Sequence, residues 1–226
     1  MTVCHFYFTM EGLNSVPSQT FFNLSEEKRQ RLIAGAMKEF SEKSLNDASI
    51  SNIVKNSNIS RGSFYQYFED KKDLYFFLIS KFRYNYRQLM FKSFEEKDGD
   101  FFEGYKVFGE KYIKYIMESE KFGFFENMYM HMNYQINQEA RVDFDKTGYQ
   151  KLPDGKRILD VVDQSQLKME TEKEVIDILR YILSMLNDTI MEGFWKELSV
   201  SSTQELFIKR LSWITYGVKI NNKEED

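Results

Sequence analysis

The chain has 226 residues, enough to bury one large core or two smaller ones, and its 42% apolar and 29% charged residues exclude wholesale disorder. One cysteine and two histidines exclude an intrachain disulfide, a Cys-based zinc site and a histidine cluster. The net charge of −4 does not announce a nucleic-acid partner, and residues 25–73, with nine basic against eight acidic side chains, carry too small a surplus to argue from.

Residues 1–24 show no period and read as a flexible arm. Ser25, followed by Glu26 and Glu27, has the pattern of an N-cap with acidic residues in the first turn. Leu32, Ile33, Ala36, Met37 and Phe40 then recur at helical spacing to about Ser41. Ser49 caps a short second helix with Ile50, Ile53 and Val54 on its apolar face, and Asn58 suits the left-handed turn that ends it. Ser60 caps a third helix with Phe64 and Phe68 facing inward. Asp70 caps a fourth, which runs through Leu74, Phe77, Leu78 and Phe82 to about Phe94. Lys97–Asp100 is a polar loop. Helices are predicted over 101–119, with Tyr105, Phe108, Tyr112 and Ile116 on one face, and from Gly123 to about Asn137. Residues 143–156 read as a long loop, with a helix starting near Lys156. A capping box of Thr171 and Glu174 opens a long helix over 171–198, and Thr203 opens the last, through Leu206, Ile214 and Val218. No strand is predicted.

The stretch Ser49–Phe68, SISNIVKNSNISRGSFYQYF, carries the functional signal. Two short helices flank a tight turn, and the second presents Arg61, Gly62, Ser63 and Gln66, polar or small, on one side. A helix that must enter a major groove about 12 Å wide and meet base edges needs that surface. With Asp70-Lys71-Lys72-Asp73-Leu74, the stretch resembles the TetR family of bacterial transcriptional regulators over roughly residues 26–86. It departs at Asn58, where Gly is usual, and at Val54, where a small Ala is usual.

The resemblance implies an all-α chain. Residues 25–86 would form a three-helix DNA-binding domain with its helix-turn-helix at 49–68, residues 87–220 a helical effector-binding and dimerisation domain, and 221–226 a polar tail. The implied DNA-contacting set is Ser49, Ser60, Arg61, Gly62, Ser63, Tyr65, Gln66, Tyr67 and Lys71. Arg61, Gly62 and Ser63 correspond to base-contacting positions, with Arg61 suited to a bidentate contact to guanine. Tyr65, Tyr67 and Lys71 correspond to phosphate contacts, and Ser49 offers a hydroxyl and a helix N-terminus. Gln66 suits either adenine or phosphate.

From about residue 95 no motif stands out. The resemblance implies that the last two helices meet a second copy as a four-helix bundle, with Leu179, Ile182, Leu186, Ile190, Leu206 and Ile214 as interface candidates. Tyr112, Tyr115, Phe124, Met128, Met132 and Trp195 are candidates for an apolar effector pocket, although each reads more readily as core. Pro17–Leu24 resembles a common start in related regulators. Initiation at Val16 through a GTG codon would leave residues 1–15 untranslated.

The function implied is a homodimeric repressor released from a palindromic double-stranded DNA operator by a small apolar effector. The alternatives are an activator or protein-sensing regulator of the same fold, or a helical protein that does not bind DNA. No nucleophile–base pair, metal cluster or phosphate loop argues for an enzyme, and no cofactor is called for. No apolar run approaches the ~18 residues of a membrane span, and the opening MTVCHFYF lacks the features of a secretion signal. The expectation is a cytoplasmic protein.

Overall fold

The computed structural model describes residues 17–131 and 155–218. The helices among them are α1 (Gln19–Phe22), α2 (Glu26–Glu42), α3 (Ile50–Ser57), α4 (Arg61–Tyr67), α5 (Lys71–Glu95), α6 (Phe101–Met117), α7 (Phe122–His131), α8 (Glu172–Trp195) and α9 (Val200–Val218). Among the described residues no strand forms beyond isolated bridge positions, and the all-α expectation holds. The chain divides into two compact units. The first takes residues up to 85 and from 120 through α7; the second takes 86–119 and the segment from 155 onward.

In the first unit, α2 buries Leu32, Ala36 and Phe40, one residue per turn along a single stripe, and α3 packs against it. The two helices approach closely at Gly35, where a Cβ would stand 2.2 Å from Ser57 Oγ. Ser57 is fully buried and donates its hydroxyl to the Ile53 carbonyl at 2.7 Å. Phe64, Phe68 and Phe77 are buried in the same unit, with the Phe68 ring 6.0 Å from Phe64 and 5.7 Å from Phe77. The helix α7 also packs here, although the sequence assigned it to the second domain. Phe124 sits 5.6 Å from the Tyr75 ring and 5.4 Å from Phe82, and Asn127 Nδ2 donates to the Ser41 carbonyl at 2.7 Å.

Residues 17–24 differ from the expected loose arm. Phe21 is fully buried, and α1, with only four residues, is too short for any period to show in the sequence. The remainder of the expected arm, the loop over 143–154, the end of the helix begun at Gly123 and the polar tail lie outside the described residues.

In the second unit, α6 and α8 both pack on α9. The Tyr105 hydroxyl donates to the Leu179 carbonyl at 2.9 Å, joining α6 to α8, and complete burial pushes its pKa well up, so that it stays a neutral donor. Arg210 on α9 donates to Asp188 at 3.3 Å and to Thr189 at 2.9 Å, and also pairs with Glu192, all on α8. The expected capping box opens α8, Thr171 Oγ accepting from Glu174 N–H at 3.3 Å and Glu174 accepting from Thr171 N–H at 3.0 Å.

The helix expected from Lys156 does not form. The segment makes two 3-10 turns, Ile158–Asp160 and Gln164–Gln166. Asp160 accepts from the Arg157 N–H and Asp163 from the Ser165 N–H, local bonds that compete with helix propagation. The last helix starts earlier than expected, at Val200: Ser199 accepts from Ser202 N–H at 3.1 Å, and Thr203 lies buried inside the helix.

Candidate nucleic-acid interface

The geometry of the helix-turn-helix follows from a few side chains at helix ends. Ser49 Oγ accepts from Ser51 N–H at 3.2 Å and opens α3. That helix ends because Asn58 takes φ 52° and ψ 50°, which brings the Ile59 N–H back to the Val54 carbonyl at 3.1 Å. Asn tolerates this left-handed position better than most residues, which is why the turn survives without glycine. Ser60 Oγ then accepts from Ser63 N–H at 3.0 Å and opens α4 two residues after the turn.

On α4, Phe64 is buried and holds the helix to the core, while Arg61, Gly62, Tyr65 and Gln66 are exposed on its outer surface. Ser63 is half-buried, and its hydroxyl lies 2.8 Å from that of Ser60. The Arg61 guanidinium does not hang free. It donates to Ser51 Oγ at 3.3 Å and to the Tyr65 hydroxyl at 3.2 Å, and lies 5.7 Å from the centre of the Tyr65 ring. A charge held in this way between α3 and α4 has already lost part of the rotamer freedom that binding would otherwise remove. Gly62 faces open space: the nearest atom to a Cβ built there is Ser60 Oγ at 3.8 Å. Nothing among the described residues requires glycine at that point.

Two members of the sequence-derived set are placed differently from the rest. Lys71 donates its ammonium to the carbonyls of Asn46 at 2.6 Å and Ala48 at 2.8 Å, so it ties the start of α5 to the loop before α3 instead of standing free for a phosphate. Tyr67 is half-buried against Phe21, with ring centres 6.3 Å apart.

The sequence reading missed Glu39. Only 3% exposed, it sits on α2, and its Oε1 accepts from the Ser49 N–H at 2.8 Å and from Asn52 Nδ2 at 3.2 Å. It therefore fixes the N-terminus of α3 from the side. A lone glutamate on a helix gives no sequence signal for this, because its partners lie ten and thirteen residues away. Ser51 was missed for the same reason.

The effector-pocket candidates fall in both units. Tyr112 and Tyr115 belong to an aromatic array in the second unit, stacked on each other and joined by Tyr86 and Phe108. Phe124 is core of the first unit and Met128 is half-buried there. Trp195 is 71% exposed, and Met132 lies outside the described residues.

The interface candidates also need correction. Leu179, Ile182, Leu186 and Ile190 are buried inside the chain, so they are not available to a second copy, while Leu206 and Ile214 are half-buried. The exposed side of α8 instead carries Tyr181, Met191 and Trp195, and that of α9 carries Trp213 and Tyr216. Among the described residues no helix is long and apolar enough to cross a membrane, and no group of three metal-ligating side chains assembles.

Comparison with known proteins accords with this geometry. Residues 32–76 match the family model described as bacterial regulatory proteins, tetR family, and residues 100–218 match the tetracyclin repressor-like C-terminal domain. YdgC, an HTH-type transcriptional regulator of Bacillus subtilis, is 40% identical over 63 residues, 28% of this chain and 32% of that protein. HbdR, an HTH-type transcriptional regulator of Aromatoleum, is 37% identical over 65 residues, 29% of this chain and 28% of that protein. The chain thus matches roughly a third of the length of these curated relatives.

Among solved structures, a putative TetR-family regulator from Syntrophomonas wolfei superposes with a TM-score of 0.63 at 18% identity, covering 85% of this chain and 96% of that one. The fatty acid degradation regulator FadR from Bacillus halodurans gives 0.55 at 18% identity, covering 84% and 96%. These likenesses show a shared fold. The C-terminal model alone spans more than half of the sequence, and with the helix-turn-helix in place the chain belongs to the TetR family of transcriptional regulators.

Proposed function

We propose that the protein is a homodimeric repressor that reads a palindromic DNA operator with α4 and releases it when a small apolar effector binds. The single observation that carries the DNA-reading part is the outer surface of α4. There Arg61 is held ready by Ser51 and Tyr65, beside a glycine that no packing among the described residues explains. A bare backbone next to a pre-oriented guanidinium suits close approach to a base pair, with Arg61 reading guanine and Tyr65 and the Ser49 end of α3 meeting phosphates. Gln66, exposed beside them, contacts adenine or a phosphate.

One recognition helix reads too few bases for specificity, so two copies are needed. The surface that supports pairing is the exposed aromatic side of α8 and α9. Trp195 and Trp213, 71% and 64% exposed, are costly to leave in water and of the residue type that anchors interfaces. The effector reading rests on the Tyr86, Phe108, Tyr112 and Tyr115 array and on α5, a continuous helix from Lys71 to Glu95 that begins in one unit and ends in the other. An effector that favours one setting of α5 lowers operator affinity by its differential binding to the two settings.

Selection of duplexes from a random-sequence pool by the full chain tests the dimeric reader. Enriched sequences are expected to contain two inverted half-sites about one helical turn apart. Enrichment of an unrepeated half-site, or of no sequence, contradicts it.

A further inference from the structure

The two short helices of the motif end in different ways. The helix α3 closes on its own, through the left-handed Asn58 and the bond from Ile59 N–H to the Val54 carbonyl. The helix α4 passes directly into extended backbone at Phe68, with φ −134°, and has no such turn. The last carbonyls of a helix need partners from elsewhere when the chain leaves in this way. In a helix of seven residues they are a large share of all its backbone acceptors.

Both partners come from one residue some fifty positions upstream. The Ser18 N–H donates to the Tyr67 carbonyl at 2.9 Å, and the Ser18 hydroxyl donates to the Gln66 carbonyl. Ser18 is in turn fixed by its neighbours in the chain. Phe21 is fully buried, with its ring centre 5.0 Å from Phe68 and 5.1 Å from Phe77, edge-on to both. Pro17, just before Ser18, is buried as well. The bracket therefore joins the end of α4 to the base of α5, and it lies outside the stretch 32–76 that matches the family's DNA-binding model.

We propose that Pro17–Leu24 is a working part of the DNA reader, in which Ser18 is a positioning residue that sets the C-terminal end of the recognition helix and Phe21 is the pin that keeps it there. The inference rests on the reading of α4 as the recognition helix. It assigns operator specificity to a residue that touches no DNA, because Gln66, whose carbonyl it holds together with that of Tyr67, stands among the candidate contacts.

Three substitutions separate positioning from simple support of the fold. Ser18→Ala removes one donor. Ser18→Pro removes both, yet fits the native φ of −59°. Ser18→Thr keeps both. Binding of the full chain is measured to the duplex that the wild type selects from a random pool and to a scrambled duplex of equal length. Amide exchange at residues 64–68 of the free protein and the thermal midpoint are measured alongside.

The expected affinity loss for the selected duplex is about threefold to tenfold for Ala and about tenfold to a hundredfold for Pro, with Thr restored to wild type. The scrambled duplex is bound equally by all four proteins. Exchange at 64–68 rises in the order Thr, Ala, Pro. Unchanged exchange together with unchanged selected-duplex affinity in Ala and Pro overturns the inference. So does an equal loss on both duplexes that tracks a lowered midpoint. A wild type that selects no duplex overturns the DNA reading itself, whatever the exchange data show.

Discussion

In the unit that carries the helix-turn-helix, polar side chains with defined partners gather at helix ends: Ser49, Ser60 and Asp70 at N-termini, Ser18 at the C-terminus of α4, and Glu39 and Lys71 across the loop that joins α2 to α3, while Asn58 ends α3 through its left-handed backbone. In the unit of α6, α8 and α9 the helix starts are capped as well, at Asp100, Thr171 and Ser199, but further polar bonds run between the sides of helices, as in Arg210 to Asp188 and Tyr105 to the Leu179 carbonyl. There the arrangement is set by which apolar stripe turns inward. The contrast shows two ways of building precision. Short helices with little surface to bury are placed by their termini. Long helices are placed by their cores, and the residues left over are free to serve association.

Four substitutions sharpen or break that contrast. Leu186→Ala is expected to cost about 2–5 kcal/mol of folding stability, measured by denaturant unfolding, while the folded fraction dimerises as before. A weakened dimer with unchanged unfolding would return this residue to the interface. Trp213→Ala is expected to do the reverse, weakening dimerisation by about 2 kcal/mol or more in sedimentation equilibrium with little effect on the folded monomer. An unaltered dimer would move the interface elsewhere. Glu39→Ala leaves the Ser49 N–H and the Asn52 amide without their acceptor and is expected to cost about 1–3 kcal/mol, with Glu39→Gln recovering most of it. Equal losses in the two variants would mean that the contacts at Ser49 and Asn52 contribute little.

The smallest effect is the most telling in sign. Gly62→Ala fills open space in a helix and is expected to stabilise the free protein by about 0.5–1 kcal/mol while weakening operator binding. Stabilisation with undiminished binding would remove the close-approach role.

The sequence made the first unit legible because its chemistry is local. Caps at Ser25, Ser49 and Ser60 and the turn at Asn58 lie within a few residues of what they control, and each stands where the sequence reading put it. It did not reach the bonds of Ser18, Glu39 and Lys71, whose partners are distant in the chain. On α8 it failed for a different reason. The helix carries one apolar stripe through Leu179, Ile182, Leu186 and Ile190 and another side with Tyr181, Met191 and Trp195, and periodicity alone does not say which of the two faces the chain's own core. Aromatic content marks core and binding surface alike, so it did not tell the buried Phe124 from the exposed Trp195.

Base reading by Arg61 on α4 is decided by titrating wild type and Arg61→Ala against the wild type's selected duplex and a scrambled one at two salt concentrations. A loss of about 1–3 kcal/mol is expected on the selected duplex alone, with binding to the scrambled duplex and its salt dependence little changed. An equal loss on both duplexes with a shallower salt slope would make Arg61 a phosphate contact, and a wild type that binds the two duplexes alike would contradict sequence reading by this helix.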